Sequence, residues 1–196
     1  MSRTARSAVA ALVLAVPVVA EVARPDLFGS VAGHLVGAAS QVLGWGLLAS
    51  VVADAPDAAR VASPRGRRVV LAACALQVLF GLAYGATALD GEPFEGVFVF
   101  FLLGFVALLV GGPLWAGRLR RLPGARAAVT GLLSVAVLGT LAVLVEPDPF
   151  HDIALVGAYL AWVLVGHGLS RLEHSTSRHQ GQAAADETAP VRSDAG

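Results

Sequence analysis

Six stretches of the chain are apolar almost without interruption, and short polar links separate them. The runs fall at 7–23, 31–53, 69–89, 97–117, 127–145 and 152–170, and the third, fourth and fifth contain no charged residue. A helix rising about 1.5 Å per residue needs about 20 apolar residues to cross a hydrocarbon layer about 30 Å thick. Each run is close to that length and none alternates apolar with polar, which excludes barrel strands. The pattern therefore predicts an all-α membrane protein, a six-transmembrane-helix bundle over 1–170. Past Ser170 the chain turns polar, and residues 171–196 read as a disordered cytoplasmic tail; His174 and His179 fall there as solvated side chains.

The first run has two readings. Arg3 and Arg6 followed by an apolar stretch ending in small residues also resemble a cleavable signal peptide, which would leave five helices. Orientation is the same under either reading. All 14 basic residues are arginine, and 13 of them lie at alternate segment ends with only Arg24 on the opposite side. Basic loops stay in the cytoplasm, which puts both termini inside and Arg24 outside. Arginine without lysine, in a chain heavy in Ala, Val and Gly, suggests a GC-rich bacterial genome and hence the bacterial cytoplasmic (inner) membrane.

Composition narrows the function classes. Hydrophobic residues make up 56% of the 196 residues and charged ones 14%, with zero net charge. A soluble enzyme carries about 25% charged residues, and a nucleic-acid binder a basic excess, so both are excluded. A single cysteine, Cys74, permits neither an intrachain disulfide nor a thiolate cluster. No phosphate loop, nucleophile elbow or zinc-protease motif occurs, and no cofactor is expected.

The three outer links are alike. Pro25-Asp26-Leu27-Phe28, Pro93-Phe94-Glu95 and Pro147-Asp148-Pro149-Phe150 each set a proline shortly before a phenylalanine among carboxylates. A shift of 122 residues also superposes Gly44 on Gly166 and Gly46 on Gly168. These matches suggest three tandem helical hairpins repeated in parallel about the membrane normal. Turn and helix-start chemistry explains part of the likeness.

Polar residues inside the runs are the candidates for chemistry. Gln41 lies about 15 Å below the outer start of its helix and Gln77 about 12 Å above the inner start of its own, at 1.5 Å per residue. Both sit near mid-bilayer, where the expectation is a Gln41–Gln77 hydrogen bond, the sharper alternative being the wall of a central cavity. Glu21 and His34 belong to the outer leaflet, and a carboxylate beside an imidazole makes a proton-handling or ligand-binding pair. The competing assignment pairs Glu21 with Arg24. His151 and Asp152 open the sixth segment beside Asp148, in a carboxylate-rich outer rim suited to a cationic solute. No metal site is expected, since ligand spacing is absent.

Glycines 29, 33 and 37, and 81 with 85, read as tight helix contacts. Trp45 and Trp115 are placed in the inner interfacial belt, with His167 beside them. Phe98 and Phe101, within a five-phenylalanine cluster on the fourth segment, line an apolar pocket or face lipid.

Three functions compete: a bundle that binds or transports a small apolar or cationic solute; a membrane-embedded enzyme acting on a lipid-like or isoprenoid substrate, with Glu21 as general acid; and an accessory subunit docking a membrane-protein partner. Lipid is the surrounding partner in all three, and nucleic acid in none.

Overall fold

A computed structural model describes residues 1–28, 30–89, 95–145 and 149–187, apart from the side chains at 27, 28, 95, 149 and 176–187. The described residues are helical, and six helices are long and apolar enough to cross a membrane. They are α1 Arg3–Ala23, α2 Val31–Ala53, α3 Pro64–Leu89, α4 Phe98–Leu119, α5 Arg126–Leu144 and α6 Pro149–Glu187. Short helical pieces, Pro25–Phe28, Asp57–Ala62 and Glu95–Val97, sit in the links. The chain is an integral, multi-pass membrane protein.

Local chemistry sets the ends. The Ser2 and Ser30 hydroxyls accept from the Ala5 and Gly33 amides and cap α1 and α2. Pro64 takes the first position of α3, where its missing N–H costs nothing, and the Ser63 hydroxyl accepts from the Gly66 amide. That start lies five residues before the apolar run, because a capped helix can carry Arg65, Arg67 and Arg68 in its first turns.

The sixth helix also outruns its apolar stretch. It continues past Ser170 to Glu187. Leu172 is buried, Glu173 pairs with Arg3, and the Ser175 hydroxyl donates to the Pro123 carbonyl. The residues just past Ser170 therefore belong to the packed bundle, while 188–196 lie outside the described residues.

Each helix packs on the helices before and after it, and α6 returns to α1 to close a ring. The ring is drawn tight by small residues. A Cβ at Gly66 would collide with the Trp115 backbone, one at Gly131 with the Ala161 carbonyl, and one at Gly168 with the Ala128 backbone. Lipid offers no hydrophobic drive between helices, so close backbone approach supplies the packing. The two glycine pairs related by the 122-residue shift are not equivalent in their surroundings. Gly44 meets Leu14, Gly166 meets Ser7 and Gly168 meets Ala128, whereas Gly46 meets nothing within 4 Å.

One end of the ring is tied by arginine. Arg6 donates to the Asp54 carboxylate at 2.7 Å and to the Ser50 hydroxyl at 3.1 Å. Arg3 reaches the Asp54 carbonyl at 2.6 Å as well as Glu173. Arg67 donates to the carbonyls of Val52 and Ala53, satisfying the last turn of α2. The hydrogen bond from Arg6 holds the Asp54 carboxyl below its ordinary value, aided by the charges of Arg6, Arg3 and Arg60.

The tryptophans depart from the belt expectation. Trp45, Trp115 and Trp162 are all essentially inaccessible, in the core. Trp115 Nε1 donates to the Ala59 carbonyl at 3.0 Å, and Trp45 Nε1 donates to Gln41 Oε1 at 2.9 Å. For Trp45 and Trp115 a polar partner inside the bundle serves the indole N–H in place of the membrane interface, whereas Trp162 Nε1 has no hydrogen-bond partner among the described residues.

Candidate functional site: a cavity at the end opposite the arginines

Helix α2 presents one stripe to the bundle axis: His34, Gly37, Gln41 and Trp45, spaced by three or four residues as one helical face requires. Around the upper part of that stripe the six helices leave a cavity of about 560 Å³. Gly33 and Ser40 line it beside the stripe, and α1 adds Leu14, Pro17, Val18 and Glu21. From α3 come Phe80 and Tyr84, from α4 Phe98, Phe101 and Leu102. Residues 142–145 at the end of α5 and His151 and Leu155 of α6 complete the wall.

The lining divides chemically. Glu21, His34, Ser40 and Gln41 lie on α1 and α2, while α4 and α5 contribute apolar groups. Phe80 stacks with Tyr84, Phe98 and Phe101 at centroid distances of 5.2–5.6 Å, and Phe101 meets Phe105 edge-on at 4.8 Å. Such tilted pairs hold rings in fixed orientations.

Below the cavity the axis is filled. Trp45 meets Phe105, Tyr159 and Trp162 in T-shaped contacts with centroids 6.1–6.3 Å apart. Gln41 joins this floor to the wall: its Nε2 donates to the Tyr159 hydroxyl at 3.4 Å while its Oε1 accepts from Trp45.

Several expectations are corrected here. Gln41 and Gln77 do not bond to each other. Gln77 Nε2 donates to the Phe101 carbonyl at 3.1 Å across the α3–α4 contact, where Gly104 leaves room for the amide. Gln77 is fully buried outside the cavity lining, and its Oε1 has no partner. Their depths are similar, but the two side chains leave their helices towards different neighbours.

His34 pairs through Nδ1 with the Tyr84 hydroxyl and meets that ring edge-on, so tyrosine holds the imidazole where Glu21 was expected. Glu21 forms no ion pair with Arg24 either; its carboxylate borders the cavity without a hydrogen-bond partner among the described residues.

The glycine expectation splits. Gly81 and Gly85 pack closely on Ala38 and Gln41 of α2. Gly37 faces open space, with nothing within 4 Å of a Cβ built there. Its missing side chain is cavity volume and not a helix contact. Gly29 lies outside the described residues.

His151 Nδ1 donates to the Ala142 carbonyl, one of the orphan acceptors in the last turn of α5. Asp152 is in the first turn of α6, where a carboxylate complements the helix N-terminus, and is not in the cavity lining. Asp148 lies outside the described residues. Among the described residues no three metal-ligating side chains come together.

Tyr84, Phe80, Ser40 and Tyr159 were not singled out from the sequence. A usable signal existed: the chain has two tyrosines, and each bonds a polar residue of the α2 stripe. No family model, curated protein or solved structure matches this chain.

Proposed function

We propose that the protein binds a small amphipathic solute in this cavity, from the outer side of a bacterial cytoplasmic membrane, with both termini in the cytoplasm. The division of the lining carries the reading: hydrogen-bonding groups stand on α1–α3, with His151 at the start of α6, and apolar groups on α4 and α5. Mostly apolar walls with a few convergent polar groups are what small-molecule sites use. A neutral or cationic head would meet Glu21, His34 and Gln41, and an apolar body the phenylalanines. The aromatic floor under Gln41 favours binding; passage across the membrane would need Trp45 and Trp162 to part. The arginines gathered at the far end support the orientation, and the three-hairpin repeat remains part of this proposal as a description of how the ring arose.

Gly37→Leu tests it, since the Cβ enters open space and the rest of the side chain takes up cavity volume. In nanodiscs, decylamine or decanol should bind saturably to the wild type, and the substitution should weaken that binding at least about tenfold, or about 1.4 kcal/mol. Binding that ignores the substitution, or no saturable binding by either probe, contradicts the reading.

Glu21, which lines the cavity without a hydrogen bond of its own among the described residues, supports a second reading. Its carboxyl adds a proton to the double bond of an isoprenoid substrate, and the carbocation then gives up a different proton to water, leaving a rearranged alkene. Product formed from a short-chain isoprenyl alcohol or its diphosphate by the wild type, and lost in Glu21→Gln, is its expected result. An inactive wild type counts against it.

A further inference from the structure

We infer that the cavity opens sideways into the bilayer between the outer ends of α4 and α5, so that its ligand is an amphiphile dissolved in the membrane. This rests on the binding reading above. Helix α4 has an outward stripe of Val99, Leu102, Leu103, Val106 and Leu109, each 43–54% exposed. Helix α5 has one of Leu133, Val137, Leu141 and Leu144. Leu102 and Leu144 belong to these outward stripes and also line the cavity. A residue can do both only where the wall between cavity and surroundings is open or one side chain thick.

Helices α2, α3 and α6 differ, while Glu21 on α1 and Phe98 at the start of α4 are exposed lining residues at the outer ends of their helices, beyond the level of Leu102. The cavity residues of α2 and α3 (His34, Gln41, Phe80 and Tyr84 among them) are buried or half-buried and lie off those helices' outward stripes. On α6, His151 and Leu155 likewise lie away from the exposed Ile153 and Leu160.

Glycine explains why the gap stops where it does. A Cβ at Gly112 would stand 3.1 Å from the Leu132 carbonyl, and one at Gly139 would enter the Phe105 ring, so α4 and α5 are in close contact up to that level. Above it, Leu102 of α4 and residues 142–145 at the end of α5 line the cavity. The gap is apolar, and the polar lining is on α1–α3 apart from His151, whose Nδ1 is tied to the Ala142 carbonyl. An entering amphiphile therefore leads with its head towards α1 and α2 and leaves its tail between Leu102 and Leu144.

The test uses Gly37→Cys as a reporter inside the cavity, in vesicles, with native Cys74 fully buried and silent. A long-chain alkyl methanethiosulfonate partitioned into the bilayer should label it. Leu102→Trp, and independently Leu144→Trp, should slow that labelling at least about tenfold, a barrier change of about 1.4 kcal/mol. Both positions are exposed while lining the cavity, and neither belongs to the buried core. Labelling by the alkyl reagent at an unchanged rate in both variants, or labelling only by a charged water-soluble reagent, overturns the lateral opening and leaves the cavity standing. Labelling by neither reagent overturns the opening and the binding cavity together.

Discussion

Two glutamines at similar depth carry opposite obligations. Gln41 satisfies both the Trp45 indole and the Tyr159 hydroxyl, whereas Gln77 spends one amide hydrogen on Phe101 and leaves its oxygen without a partner. Removing Gln41 strands two buried groups, each costing about 1–3 kcal/mol, while removing Gln77 also removes an unsatisfied acceptor. Gln41→Leu should therefore lower thermal stability in detergent clearly, and Gln77→Leu should leave it within about 1 kcal/mol of wild type or raise it. Equal losses in the two variants would show that the assignment of their partners is wrong. The sequence made the depth of each residue legible, because rise along a helix is fixed. Which neighbour each side chain turns towards was not legible, since rotation of a helix in the ring is decided by packing with the others. The same limit put Trp45 and Trp115 at an interface and Gly37 in a contact.

At the scale of elements, glycine has two uses that spacing alone does not separate. Gly168 admits the Ala128 backbone, and Gly37 admits nothing. Gly168→Ala should push α5 and α6 apart and cost about 1–3 kcal/mol, while Gly37→Ala should be neutral or stabilising through better helix propensity. Melting curves of the two variants check this, and a destabilised Gly37→Ala would mean that the cavity is closed in the protein. The arginine-tied end makes a separate prediction. Because Asp54 titrates below its ordinary value of 3.8 when folded, its contribution is present above that pH and fades as acid protonates it. The stability difference between wild type and Asp54→Asn should therefore shrink as pH falls below about 4, with the exposed pair screened by salt as well. A difference that grows on acidification would reverse the sign argued here. The six helices were legible because their apolar runs match the bilayer. The start of α3 and the length of α6 were not, since caps, ion pairs and buried Leu172 extend a helix beyond its hydrophobic part.

For the whole molecule, a closed ring and segregated charge turn a chain with zero net charge into one with two unlike ends. Arginines brace one end against Asp54, Glu173 and helix carbonyls, and the cavity occupies the other. Helix α1 stands between α6 and α2, with Ser7, Ala10 and Leu14 buried, so the ring as described depends on it. The orientation of this two-ended body decides which compartment the cavity serves, and single-cysteine labelling of intact cells reads it directly. With Cys74 buried, cysteines introduced at Val61 and at Arg24 should respond oppositely to an impermeant maleimide. Arg24→Cys should be labelled from outside and Val61→Cys only after the cells are opened; labelling of Val61→Cys in intact cells would contradict this orientation.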